Sequence, residues 1–143
     1  MKKDNKKFAQ YELLYYLCNN KQGVRPHKNQ SSMKKLIEAI QEIAEQNPDG
    51  FTVELTTLKK VSKGISVAYL ETQDSFGNEG LKKVLLHSQS HDGIIGGWLN
   101  EENGKFYYDS IKIFHDEKEA VKFGIENEQI AIFDITNLRL IKL

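Results

Sequence analysis

Residues 94–114 constrain the fold more than any other part of this chain. Ile94-Ile95-Gly96-Gly97-Trp98-Leu99 and the run from Lys105 to Phe114 (KFYYDSIKIF) are rich in β-branched and aromatic residues. They are separated by five residues ending in Asn103-Gly104, a pair suited to a tight turn. An antiparallel hairpin is predicted. Alternation in its second run places Phe106, Tyr108, Ser110, Lys112 and Phe114 on one face, and Tyr107, Asp109, Ile111 and Ile113 on the other. Neither face is purely apolar, which leaves room for a bulge or a functional surface. Two consecutive glycines inside a strand suggest a bulge or a close approach by another backbone or ring. Trp98 stands beside them to fill such space, with Tyr107 and Tyr108 opposite.

The rest of the chain arranges itself around that hairpin. Residues 8–18 (FAQYELLYYLC) suit a short helix, ended by Asn19-Asn20 and Gly23, with a loop from Arg25-Pro26. Ser31 or Ser32 offers an N-cap to a second helix. Its apolar positions are Met33, Leu36, Ile37, Ile40, Ile43 and Ala44, and Asn47-Pro48-Asp49-Gly50 stops it. Residues 51–55 and 65–71 read as strands, the second antiparallel to the first across a lysine-rich turn. Residues 74–78 read as a loop, with Ser75 or Asn78 capping a helix over 79–91 whose apolar face holds Leu81, Val84, Leu85 and Ser88. Asp116 caps a short helix ended by Gly124, and strands follow at 129–133 and 138–143. The fold class is therefore α+β: two N-terminal helices, then a ββαββαβ antiparallel or mixed sheet with helices packed on one face. The expected division is a helical segment with a basic arm over 1–49 and a core domain over 50–143.

Length and charge set further bounds. A chain of 143 residues buries roughly two thirds of its unfolded surface, enough for a core without staples. The lone Cys18 has no partner for an internal disulfide and fits a reducing compartment. No apolar run approaches the roughly 20 residues of a membrane span, and the basic start lacks the apolar core of a secretory signal. The net charge is zero but unevenly spread. Lys2, Lys3, Lys6, Lys7, Lys21, Arg25 and Lys28 face only two acids within residues 1–29, while nine acids face four lysines within 99–134. A basic arm on an acidic body suggests charged partners, although two solvated ends explain it as simply. The arm is suited to phosphate contacts, so a nucleic-acid-binding role is one expectation.

Catalytic constellations are weak. His87 and His91 stand four residues apart on a predicted helix, but no third ligand is evident, since Asp92 is adjacent and His115 remote; both read as solvent-facing. Glu101, Glu102 and Asp109 flank the hairpin turn, where acids usually serve solubility. Ser75, His87 and Asp109 lack the spacing of a nucleophile elbow, and no phosphate-binding glycine loop occurs. No catalytic residue, metal or cofactor is expected. Trp98, Asn100, Glu101, Glu102, Asn103, Tyr107, Tyr108 and Asp109 read either as packing or as an aromatic recognition surface with an acidic rim.

The elements Glu71-Thr72-Gln73-Asp74-Ser75-Phe76-Gly77, Gly96-Gly97-Trp98, residues 100–105 (NEENGK), Tyr107-Tyr108-Asp109-Ser110 and residues 127–134 (NEQIAIFD) resemble a family of small phage and mobile-element proteins, also found as modules of large polyvalent proteins. The family is similar to a group of anti-CRISPR proteins that act on the type II effector Cas9. The resemblance covers about half of the chain and leaves the N-terminal 50 residues outside. It implies a non-enzymatic inhibitor in the cytoplasm of a bacterial host, binding a Cas9–guide RNA nuclease and blocking DNA binding or cleavage. The resemblance carries over no residue roles; Glu71, Gln73 and Asp74, which lie within the resembling stretch, are added to the expected partner-binding set. The alternative is a nucleic-acid-binding accessory protein of a phage or mobile element.

Overall fold

The computed structural model describes residues 26–143, with side chains from residue 32 onward. The expected helix at 8–18 and the arm residues Lys2, Lys3, Lys6, Lys7, Lys21 and Arg25 lie outside the described residues, as does the side chain of Lys28.

Helix α1 (Pro26–Gln46) begins before the expected Ser31/Ser32 cap. A proline is tolerated in a first turn, where no backbone N–H donor is needed. Leu36, Ile40 and Ala44 form its buried stripe, and Asn47 closes its end by donating from Nδ2 to the Ile43 carbonyl at 2.8 Å. Strands β1 (Phe51–Glu54), β2 (Ile65–Ala68), β3 (Ser75–Phe76), β4 (Ile94–Asn100), β5 (Lys105–Phe114), β6 (Ala131–Asp134) and β7 (Arg139–Lys142) make one sheet of order β1-β4-β5-β2-β6-β7, with β3 on β5. Every pairing is antiparallel. Helices α2 (Gly77–Gln89) and α3 (Glu117–Glu126) complete the described elements, none of whose helices is long and apolar enough to cross a membrane.

Strand β2 does not pair with β1 as the sequence suggests. Ten-residue β5 is long enough to take β4 along Lys105–Ser110, β3 at Tyr107 and Tyr108, and β2 along Ile111–Phe114. β1 instead joins the far edge of β4, and the lysine-rich turn only folds back through the Val53–Lys60 bridge. The register sorts the side chains. Val53, Ile95 and Tyr108 face Leu81, Val84 and Leu85 of α2 together with the α1 stripe. Ile65, Val67 and Ile132 face Ala120 of α3. The described helices therefore lie on one side of the sheet, and α1 shares one core with the strands across the turn at 47–50.

Local details depart from expectation for identifiable reasons. Neither Ser75 nor Asn78 caps α2, whose N-cap Phe76 makes no side-chain bond. The Ser75 hydroxyl donates to the Thr72 carbonyl, and the Asn78 amide oxygen accepts from Gln41 of α1. Asp116 does cap α3, accepting from Glu119 N at 3.2 Å. Gly124 does not end that helix: it is buried inside it, where a Cβ would stand 2.6 Å from Leu143 Cδ1 and 3.0 Å from Ile132 Cγ2. It serves close helix–sheet contact rather than termination.

Candidate functional site

On the sheet side away from the described helices, the register aligns Phe76 of β3, Tyr107 of β5 and Trp98 of β4 in one row across three strands. The Tyr107 ring lies 5.3 Å from each neighbour, stacked on Trp98 at 19° and tilted 58° to Phe76. Such pairs contribute about 0.5–1.5 kcal/mol each beyond their buried area. Trp98 remains 44% and Phe76 40% exposed, and Lys105 Nζ sits 4.2 Å above the Phe76 ring. The row is thus an accessible aromatic strip that already holds a cation.

One step along the strands, Asp109 stands opposite Gly96, and the β3–β5 pairing brings Asp74 beside it. Asp74 adopts a left-handed backbone (φ 61°) at the entry to β3. Burial first, and the Asp74 charge second, push the Asp109 carboxyl up from 3.8 to about 6, with no donor or cation among the described residues to offset them. The carboxyl lies in a trough of about 740 Å³. Small residues, Ser66, Ala68 and Gly96, leave its centre open; Trp98 rises on one side and Phe133 and Leu140 on the other. Asp49 and Lys60 also stand on its lining, Lys60 Nζ donating to Asn47 Oδ1 at 2.9 Å. The rest is a largely apolar channel with the under-compensated Asp109 carboxylate and an aromatic wall, a fit for a long aliphatic stem ending in a cation.

The two sides of the sheet divide the expected recognition residues. Trp98, Tyr107, Asp109 and Asp74 come together on this side, with Glu101 and Glu102 exposed at the hairpin tip and Gln73 exposed beside Asp74. Tyr108 does not join them. It is 5% exposed on the helix side, 5.3 Å from Phe106, because alternation turns it away from Tyr107. Asn100 and Asn103 shape the turn: Asn100 Oδ1 accepts from Glu102 N at 3.0 Å, Asn103 Oδ1 accepts from Lys105 N at 2.9 Å, and Asn103 Nδ2 donates to the Tyr107 hydroxyl at 2.8 Å. The glycine pair makes room for other rings than Trp98. A Cβ on Gly97 would meet Phe51 Cε1 at 2.7 Å and Phe106 Cε1 at 2.8 Å, and one on Gly96 would meet Ile111 Cγ1 at 3.3 Å. The unbroken β4–β5 register carries no bulge there.

Glu71 lies on the helix side, in a 3-10 turn at Leu70–Thr72. His87 Nε2 stands 2.5 Å from Glu71 Oε1, and His87 Nδ1 stands 2.8 Å from the hydroxyl of fully buried Ser110. His91 is not on α2. The helix ends at Gln89, and a tight turn in which His91 N donates to the Ser88 carbonyl lays its ring over His87 at 3.8 Å and 3°. His91 Nδ1 donates to the His87 carbonyl at 2.7 Å. The reading of both histidines as solvent-facing helix residues is corrected for His87, whose side chain is 13% exposed.

Short polar side chains hold these parts in register, a role that the sequence reading assigns to none of them. Thr72 Oγ1 accepts from Ser110 N at 3.0 Å, and Asn127 Oδ1 accepts from Leu70 N at 2.9 Å. Their signal in the sequence is only that Thr72, Ser75, Ser110 and Asn127 are short polar residues close to apolar runs. No family model, curated protein or solved structure matches the chain.

Proposed function

We propose that this chain acts by binding rather than by catalysis, docking the aromatic row and trough onto a cationic surface of a partner macromolecule as a phage-type inhibitor of a Cas9–guide RNA nuclease. The observation that carries the reading is Asp109: a carboxylate in a largely apolar trough with no cation paired to it among the described residues, beside an aromatic strip that accepts one. An arginine or lysine of the partner would place its stem along Ile111 and Ala68 and its charge at Asp109 and Asp74. The acids at the hairpin tip extend the same charge sign to the rim, which suits a nucleic-acid-binding groove on the partner. The resemblance of residues 71–77, 96–98, 100–105, 107–110 and 127–134 to anti-CRISPR proteins is what suggests the partner class. The test is to mix the chain with Cas9–guide RNA complexes from several type II systems. Co-elution and lost DNA cleavage, both abolished by Asp109→Lys, are expected; if no complex binds or slows, the Cas9 reading is wrong.

The Phe76–Tyr107–Trp98 row favours a second reading, since rings on an open sheet side stack nucleobases. In that case single-stranded DNA or RNA binds with a steep salt dependence that residues 1–29 supply. Salt-independent or absent binding dismisses it.

A further inference from the structure

The geometry points to a transition-metal site formed by Glu71, His87 and His91, on the helix side of the sheet and independent of the docking surface proposed above. One ligand atom from each residue lies within 4.8 Å of the others. Two nitrogens and one carboxylate oxygen are the donor set of a three-ligand zinc centre with a position left for water. The surroundings are those such ligands need. His91 Nδ1 is committed to the His87 carbonyl, so its Nε2 carries the lone pair and is the atom left to bind. His87 Nδ1 meets the Ser110 hydroxyl, a rotor that accepts as readily as it donates. With Nδ1–H donated to Ser110, His87 Nε2 is likewise a lone-pair donor, oriented by a buried outer partner.

A divalent cation would stand between His87 Nε2 and Glu71 Oε1, which lie 2.5 Å apart. Tetrahedral binding at the usual zinc distances needs about 3.3 Å between those two atoms. Glu71 supplies that movement, being 66% exposed at its side chain on a short turn, whereas His87 is fixed by Ser110 and by the Tyr69 ring 4.8 Å away. Exposed His91 must also tilt out of its parallel stack on His87, because the in-plane lone pairs of rings 3.8 Å apart at 3° do not converge on one ion. Tyr69 also packs 5.0 Å from His91 and donates its hydroxyl to Asp92 at 2.5 Å, forming the wall behind both imidazoles. The site takes a borderline cation with nitrogen preference, Zn²⁺ or Co²⁺ in its place, and not Mg²⁺ or Ca²⁺, which prefer all-oxygen shells. Binding ties the Leu70–Thr72 turn to the end of α2.

The test is titration of the full chain with Zn²⁺ by calorimetry and with Co²⁺ by visible absorption, alongside His91→Ala and Glu71→Gln. Both positions are exposed, so both variants keep the fold, which circular dichroism checks. One Zn²⁺ per chain with micromolar or tighter affinity is expected, with intense tetrahedral Co²⁺ bands and at least tenfold weaker binding in either variant. Mg²⁺ at millimolar concentration leaves the affinity unchanged. Absence of binding, or an affinity equal in wild type and both variants, overturns the assignment.

Discussion

Replacing Asp109 by asparagine separates the stability of this protein from its proposed work. Asp109 titrates near 3.8 when unfolded and at about 6 in the native trough. The native state therefore holds its proton more tightly than the unfolded state does, and stability falls as pH rises through that window. Above about pH 6 the full difference applies, about 3 kcal/mol by linkage. Partial exposure of the residue screens some of this, and an amide without a partner costs about 1 kcal/mol. A net gain of about 1 kcal/mol remains for Asp109→Asn at pH 7.5. For a chain of this size that raises the midpoint of thermal unfolding by about 4 °C. At pH 4.5 the wild-type carboxyl is already neutral, and the gain disappears. Urea unfolding of both proteins at pH 4.5, 6 and 7.5 reads the effect directly. A variant that is equally stable or less stable than wild type at pH 7.5, or a gain that does not change with pH, refutes the reasoning. The same variant should lose partner binding, since a group retained against its own stability cost marks function rather than packing.

Trp98→Ala should cost at most about 1 kcal/mol of stability, because the ring is 44% exposed and stacked on Tyr107 alone of the rings on that row. It should weaken partner binding by about 2 kcal/mol, roughly thirtyfold, as calorimetry would show. Gly97→Ala should destabilise by about 1–3 kcal/mol in urea unfolding, since its Cβ meets the Phe51 and Phe106 rings below 3 Å. Asp116→Ala removes the cap of α3 and should cost about 1 kcal/mol in the same assay.

What the sequence revealed and withheld follows from the range of each interaction. The hairpin was legible because its signals, β-branched runs around Asn103-Gly104, are local and the register follows from the turn. The apolar stripe Leu81, Val84, Leu85 and Ser88 was legible because all four fall on one helical face, and all are buried. The pairing of β2 was not, because Ile65–Ala68 has the same alternation whichever strand it joins; the choice was made by the spare length of β5 at Ile111–Phe114. The separation of Tyr108 from Tyr107 was implicit in the alternation. What alternation cannot supply is which side the helices cover, and that decided which tyrosine became surface. The approach of Glu71 to His87 spans a turn, a strand and a helix, and no sequence spacing encodes it.

The two glycines show how one dipeptide serves both sides of the sheet. Gly97 points toward the helices and admits the Phe51–Phe106 pair, whose centroids lie 6.0 Å apart. Gly96 points the other way and keeps the floor of the trough low opposite Asp109. A side chain at Gly96 would fill the space that the proposed partner's cation would enter, while its strand partners Thr52 and Asp109 would hold their places. Gly96→Val is therefore expected to leave the hairpin paired, at a modest cost from the 3.2 Å approach to the Phe51 carbonyl, and to abolish docking. Binding that survives this substitution at full strength would move the recognition surface away from the trough and onto the aromatic row alone.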